Sequence, residues 1–159
     1  MSVPVILVDM DGTLADNDAR HAHFTANGLI STWDNEQWIA YDKAATADLV
    51  IAPVADIVNH LANSYHIAIV TGRKVESQPE TELWLDMNGI SYDDIFMRSS
   101  GNRSPNPKFK RAVAESLIAE GREIHLAIDD HPGVIEEMHD LGIETLLVGR
   151  PTSPHKGKG

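Results

Sequence analysis

Five short runs of apolar, mostly branched residues recur along the chain, at Pro4 to Val8, His66 to Val70, Ile95 to Arg98, Ile124 to Ile128 and Thr145 to Val148. Runs of this length and composition predict strands, the first of them buried on both faces. Between them the apolar positions repeat every three or four residues. Val54, Ile57, Val58 and Leu61 mark one helical face, Leu83, Trp84 and Met87 a second that ends at Asn88-Gly89, and Phe109, Val113 and Leu117 a third. Val134, Ile135, Met138 and Leu141 mark a fourth, with Pro132 at its start and Gly142 at its end. Strands alternating with helices need crossover connections, which predicts an α/β fold: a Rossmann-like, doubly wound, mostly parallel sheet. From about residue 15 to residue 52 the pattern fades into polar residues around Trp33 and Trp38, which reads as a small inserted cap. The expected organisation is a single domain over residues 1–150. The end of the chain, from Arg150 to Gly159, lacks periodicity and reads as a disordered tail.

Composition narrows the chemistry. With 159 residues and 42% hydrophobic content the chain can bury a real core. It has no cysteine, which removes disulfides, thiolate-bound zinc and cysteine nucleophiles. A net charge of -11 argues against a partner such as an extended duplex, whose affinity would depend on clustered cations. No stretch is apolar enough to span a membrane and no signal peptide is evident, so a cytoplasmic location and no membrane partner are expected. One cluster, Arg98, Arg103, Lys108, Lys110 and Arg111, breaks the acidic balance. It reads either as a local basic mouth or as a solvated loop and helix start.

The strongest chemical signal sits where the first strand stops. Val-Ile-Leu-Val-Asp-Met-Asp-Gly-Thr, residues 5 to 13, leaves Asp9 and Asp11 at the carboxyl end of an apolar strand, the edge where open α/β sheets bind ligands. Two close carboxylates resist joint ionisation unless a cation lies between them, so the pair predicts a metal. A calcium loop of the helix-loop-helix kind would need a preceding helix and a glutamate at its twelfth position, where this chain has Arg20. Three further polar groups follow strands: Thr71-Gly72-Arg73, the helix entrance from Asn106 to Arg111, and Asp129-Asp130.

In that order, Asp-x-Asp-Gly-Thr, a strand-end Thr, a Lys and a late acidic pair resemble the motifs of the haloacid dehalogenase (HAD) superfamily of phosphotransferases. Val70 to Arg73, Glu80 to Gly89, Met97-Arg98 and Leu126 to Asp130 look like the phosphatase domain of bacteriophage polynucleotide kinases, which removes 3′-phosphates. The kinase half is missing, because no Gly-x-x-x-x-Gly-Lys-Ser/Thr loop occurs. The resemblance implies Asp9 as a nucleophile that forms an aspartyl-phosphate and Asp11 as the proton donor and acceptor. It also implies Thr71 and the Gly72 amide as an oxygen clamp and Arg73 as a contact to substrate phosphate. Magnesium is the expected cofactor, held by Asp9, the Asp11 carbonyl and the Asp129-Asp130 pair, with either of the last two binding directly. Lys110 is preferred over Lys108 as the motif lysine, since it lies 19 residues before Asp129. Asn106 stands four positions before Lys110, where the resembling phosphatases have an acid. His21 and His23 read as cap surface, and His131 as a loop residue beside the acidic pair.

The function expected from these motifs is hydrolysis of a nucleotide or nucleic-acid 3′-phosphate. Its partner would be a phosphorylated small molecule, a nucleotide or a nucleic-acid end, while oligomeric state is left open. A 5′-nucleotidase or small-metabolite phosphatase is the nearest alternative. A non-enzymatic phosphoacceptor resembling a receiver domain is the alternative of another class, disfavoured because receivers carry their acidic pair first.

Overall fold

The computed structural model describes residues 2–26, 28 and 32–151. Residues 152–159, most of the expected tail, lie outside the described residues. Five parallel strands form the central sheet: β1 (Val5–Val8), β4 (His66–Lys74), β5 (Asp94–Arg98), β6 (Ile124–Asp129) and β7 (Thr145–Leu147), in the order β5-β4-β1-β6-β7. All neighbouring pairs are parallel, with Leu7 opposite Ala68 on one side and Ala127 on the other. Because β1 is central, its side chains alternate between two dry faces. Ile6 and Val8 pack with Val54, Val58, Trp84 and Leu85 from α3 (Ala52–Leu61) and α4 (Gln78–Met87). Val5 and Leu7 pack with Phe109, Leu117, Val134 and Met138 from α5 (Asn106–Ala119) and α6 (Pro132–Asp140). The result is a three-layer sandwich in which each fully buried aliphatic or aromatic side chain contributes about 1.5–3 kcal/mol.

Two strands run further than their apolar runs. β4 continues through Thr71, Gly72 and Arg73 to Lys74, because β5 keeps pairing across an irregularity until Lys74 stands opposite Arg98. β6 includes Asp129, whose carbonyl accepts from the Val148 amide at 2.9 Å. Polar residues expected just after the strands are therefore pinned within them.

The helical faces need one correction. Ile57, Leu83 and Met87 are exposed, and the buried face of α4 is Thr81, Trp84 and Leu85. The adjacent pair Leu83-Trp84 cannot share a face, whereas positions i, i+3 and i+4 can. Thr81 is buried for a polar reason: its hydroxyl accepts from Arg73.

The segment between Leu14 and Ile51 leaves the sheet and returns to it through a two-stranded antiparallel ribbon, β2 (Ala15–Asp16) with β3 (Leu49–Val50). Between these strands lie α1 (Asp18–Thr25), α2 (Asn35–Lys43) and a 3-10 turn at Ala44–Ala47. Asp34 opens α2 with a reciprocal capping box, its carboxylate accepting from the Gln37 amide while the Gln37 side chain accepts from the Asp34 amide. Phe24, Trp33, Trp38 and Tyr41 meet edge-to-face or tilted, with ring centroids 5.0–6.0 Å apart. Arg150, expected to begin the free tail, instead pairs with Asp16 at 2.8 Å, so the chain is tied down at least that far. No helix among the described residues is long and apolar enough to cross a membrane.

Candidate active site

The loop after β1 turns sharply. Gly12 has φ +82°, a conformation that strongly favours glycine, and the Asp130 carboxylate occupies the space a Cβ there would need. Asp9 and Asp130 are thus brought to the same sheet edge by a backbone that tolerates no side chain between them. Asp9, Asp129 and Asp130 place one oxygen each within 4.8 Å of one another. Three carboxylate oxygens gathered in this way could hold a metal ion, and the absence of nitrogen or sulfur donors from the cluster favours a hard one.

Lys110 comes in from the first turns of α5 and joins two of these acids. Its Nζ donates to Asp9 Oδ1 and to Asp129 Oδ2, each at 2.6 Å, with all three side chains buried. Burial opposes a charged ammonium here, but Asp129 and Asp9 outweigh it and hold Lys110 above the usual lysine range. Burial and the neighbouring Asp9 charge raise Asp129 in turn. The second Asp9 oxygen accepts from Thr13 at 2.9 Å. Lys108, the other candidate, is exposed and pairs with Glu137 at 2.6 Å, away from the cleft. Arg111 likewise serves Glu115, Glu137 and Asp140, so the basic cluster of the sequence divides. Arg98 and Arg103 line the cleft, Lys110 is buried against Asp9 and Asp129, and Lys108 and Arg111 belong to the α5–α6 surface.

Asp11 sits under a double clamp. Arg73 forks onto it with Nη2 to Oδ1 at 2.7 Å and Nε to Oδ2 at 3.1 Å, and Arg20 of α1 adds Nη2 to Oδ1 at 2.6 Å. Burial alone would raise this carboxyl. The charges and hydrogen bonds of Arg73 and Arg20 win and hold it well below the usual range. Arg73 donates its remaining Nη1 to Thr81 at 3.1 Å, so its fork is engaged with Asp11. Thr71, buried beside it, accepts from the Arg73 amide at 3.2 Å. The Asp11 side chain stands outside the carboxylate cluster, which leaves only its carbonyl for a metal.

The clamp extends into the 15–50 segment by residues the motifs do not contain. Arg20 also binds Asp48, at 2.8 Å from Nη2, and lies 4.3 Å from the centre of the Tyr41 ring. Asp42 accepts from the Lys74 amide at 2.7 Å, and burial, reinforced by the Asp11 charge, pushes its carboxyl up to about 7. Nothing in local sequence marks these residues. The usable signal was the partly buried strand-end acid Asp11, whose charge is stabilised by cations from elsewhere. His21 lines the cleft instead of the outer surface, while His23 is exposed. His131 lines the cleft as well and caps α6, its Nδ1 accepting from the Gly133 amide at 2.9 Å. Together these groups enclose about 500 Å³, with Asp9, Asp11 and Thr71 on the sheet side and Trp33, Trp38 and Tyr41 on the other segment.

A family model described as the polynucleotide kinase PNKP phosphatase domain matches residues 3–151. The chain belongs to this family. Its fold is also found in a chain of the Pnkp1/Rnl/Hen1 RNA repair complex, at TM-score 0.69 and 21% identity over 92% of this chain. That relative is longer, and the present chain spans only 42% of it. A haloacid dehalogenase-like hydrolase from Streptococcus pneumoniae aligns at TM-score 0.67 and 17% identity, over 92% of this chain and 85% of its own. A HAD family enzyme from Bacteroides thetaiotaomicron, in complex with magnesium and inorganic phosphate, aligns at TM-score 0.57 and 14% identity, over 99% and 100%. No curated protein sequence matches significantly. The likeness to these structures is a likeness of fold, that of the HAD phosphatases.

Proposed function

We propose that the chain is a magnesium-dependent phosphomonoesterase that removes a 3′-phosphate from a nucleotide or nucleic-acid end, with the 15–50 segment acting as its cap. The observation that carries this reading is the Asp9–Lys110–Asp129 chain of 2.6 Å contacts beside the clamped Asp11, in a member of a polynucleotide phosphatase family. The aromatic residues Trp33, Trp38 and Tyr41 on the cleft favour a nucleotide over a small aliphatic ester, because a base presents a flat face to them.

Asp9 attacks phosphorus through a carboxylate oxygen, and the bond to the ester oxygen breaks, leaving an aspartyl-phosphate. Asp11 gives a proton to the departing oxygen. It later takes one from the water that attacks phosphorus and regenerates Asp9. The arginine clamp keeps Asp11 ionised, which suits the accepting step, and the donating step requires Arg20 or Arg73 to loosen its hold. Lys110 holds Asp9 in position through their 2.6 Å contact, while Thr71 and the Gly72 amide receive phosphoryl oxygens. Asp9, the Asp11 carbonyl and Asp129 or Asp130 would hold magnesium, which when bound neutralises charge on the phosphoryl oxygens.

The test compares phosphate release from 3′-phosphorylated oligonucleotides and from free nucleoside monophosphates at equal magnesium, in the wild type and in Asp9→Asn. The reading expects release from the 3′-phosphorylated ends and none from the variant. Full activity of Asp9→Asn would sink the mechanism, and release confined to 5′-monophosphates would make the chain a 5′-nucleotidase. Repeated turnover of p-nitrophenyl phosphate separates it from a receiver-like phosphoacceptor, which would stop after one phosphorylation.

A further inference from the structure

The cleft holds three cations that its catalytic chemistry leaves unused. Among the described residues, the lysine and arginine ion pairs engage Arg20, Arg73, Lys108, Lys110, Arg111 and Arg150, and none includes Lys74, Arg98 or Arg103. Yet all three line the same cleft as Asp9, Asp11 and Thr71. In a chain with 24 acidic and 13 basic residues, unpaired cations gathered in one place are a departure from what surface statistics would produce.

Their placement is unfavourable in the free protein. Lys74 and Arg98 are partners across β4 and β5, so two like charges face each other at the sheet edge. Lys74 is buried, and its ammonium donates to the Asn102 carbonyl at 2.8 Å, its one hydrogen bond among the described residues for three protons. Arg98 has a long contact from Nη2 to Asn106 Oδ1, 3.4 Å, and among the described residues its buried Nε has no hydrogen-bond partner. Two acids act on Lys74, Asp42 and Glu76, and the hydrogen bond that Asp42 accepts comes from the Lys74 main-chain amide and not from its ammonium. A buried donor without a partner calls for an explanation.

Asn106 sharpens the point. Its carboxamide lies between Gly72 and Arg98: a Cβ on Gly72 would come within 2.5 Å of Asn106 Oδ1 and 3.2 Å of Arg98 Nη2. A carboxylate at this position would neutralise Arg98. The amide keeps the space filled and leaves the positive charge available. Lys110 does not need an acid there, because Asp9 and Asp129 already orient it.

We infer that Lys74, Arg98 and Arg103 form a second anion subsite, which binds another phosphate group of the substrate while Asp9 acts on the first. This rests on the phosphatase reading above and names its substrate class: a nucleotide carrying two phosphate groups. The second group is either the 5′-phosphate of a nucleoside 3′,5′-bisphosphate or the internucleotide diester that precedes a 3′-phosphorylated end. Both present anionic oxygens to guanidinium and ammonium donors.

The experiment measures kcat/KM at fixed magnesium for a nucleoside 3′-monophosphate, the matching 3′,5′-bisphosphate and a 3′-phosphorylated dinucleotide. In the wild type the bisphosphate exceeds the monophosphate by roughly tenfold or more, as expected for a charge-assisted contact. A matching gain for the dinucleotide assigns the subsite to a diester, and a gain for the bisphosphate alone assigns it to a terminal phosphate. Arg103→Ala, on the exposed rim, and Asn106→Asp, which supplies Arg98 with a carboxylate, each lower the ratio of bisphosphate to monophosphate toward one. Equal kcat/KM for all three substrates in the wild type overturns the inference, and so does a ratio unchanged in both variants. If no 3′-phosphate is released from any of them, the phosphatase reading has failed separately. Calorimetric titration of the same three compounds into Asp9→Asn then still reads the subsite, as tighter binding of the two ligands that carry two phosphate groups or as no difference.

Discussion

The sheet edge and the 15–50 segment each build half of the cleft, and they do it by different means. On the sheet edge, Asp9, Thr71 and Asp129 are held at or just past the ends of paired strands, and Lys110 reaches them from the helix that follows. Main-chain hydrogen bonds fix these positions before any side chain acts. In the 15–50 segment, Arg20 is a hub that binds Asp11, Asp48, the Tyr41 carbonyl and the Tyr41 ring. There the side chains hold the backbone in place. One half is thus preorganised by the fold, while the other depends on one guanidinium, and Asp11 belongs to both.

The largest effect should come from breaking the sheet half at Lys110, the cation between Asp9 and Asp129. Lys110→Met leaves Asp9 and Asp129 buried and facing each other without compensation. Activity is expected to fall by about 10³-fold. Stability should fall by about 3–5 kcal/mol in the presence of a chelator, read by urea denaturation. Magnesium should restore more stability to the variant than to the wild type, because the carboxylates it would bridge have lost their lysine. A variant as stable as wild type with chelator present would mean that the buried triad is not what the 2.6 Å contacts indicate.

Breaking the other half at Arg20 should cost less. Arg20→Ala removes one of the two cations on Asp11 while Arg73 stays, so kcat is expected to drop by roughly 10- to 100-fold with KM little changed. Its pH profile carries the sharper signature. With one cation gone the Asp11 carboxyl rises, and the acid limb of the kcat profile moves to higher pH. Arg20→Lys should recover only part of the loss, since an ammonium cannot fork to Asp11 and Asp48 together. An unmoved acid limb in Arg20→Ala would detach Asp11 from that limb.

The contrast also explains what the sequence disclosed. The sheet half was legible because a buried strand leaves an apolar run, and a carboxylate ending such a run, as Asp9 and Asp129 do, is conspicuous. Strand ends were less legible: Thr71 to Lys74 look like a loop in composition, and only pairing with β5 keeps them in the sheet. The insert half was nearly opaque. Arg20 served only as the residue that spoils a calcium loop, although it is the second clamp on Asp11. Its role depends on contacts 9, 21 and 28 residues away along the chain, which no local period encodes. The aromatic cluster was visible as two tryptophans, but which way they face is decided by how α1 and α2 fold back onto the sheet.

Asp42 gives a smaller test, of the insert's packing alone. Its carboxyl is pushed up to about 7 in the folded protein by burial, against about 3.8 when unfolded. The sign follows from that direction: the contribution to stability is complete below about pH 4 and is lost as pH rises through 7. Asp42→Asn cannot ionise and keeps an oxygen for the Lys74 amide. The wild type should therefore lose roughly 2 kcal/mol more than the variant between pH 5 and pH 8, measured by urea denaturation at the two pH values. Equal losses would show that Asp42 is already charged at pH 5 and paired more strongly than its single amide contact implies.

The smallest effect should come from Trp38, whose ring lines the cleft and touches Trp33 and Tyr41 edge-on. Its ring contacts run to Trp33 and to Tyr41, which stands between it and the Arg20 clamp, so the chemistry should depend on it little. If a base rests against these rings, Trp38→Ala should raise KM for a 3′-phosphorylated nucleotide by about five- to tenfold, as loss of one stacking contact would. It should leave KM for p-nitrophenyl phosphate within about twofold, because that ester is held mainly through its phosphoryl group. Equal changes for the two substrates would mean that Trp38 only supports the packing of α2, and the base would then have to be held by another part of the cleft. A rise for the nucleotide alone would give the insert a task the sheet edge cannot perform: recognising what carries the phosphate.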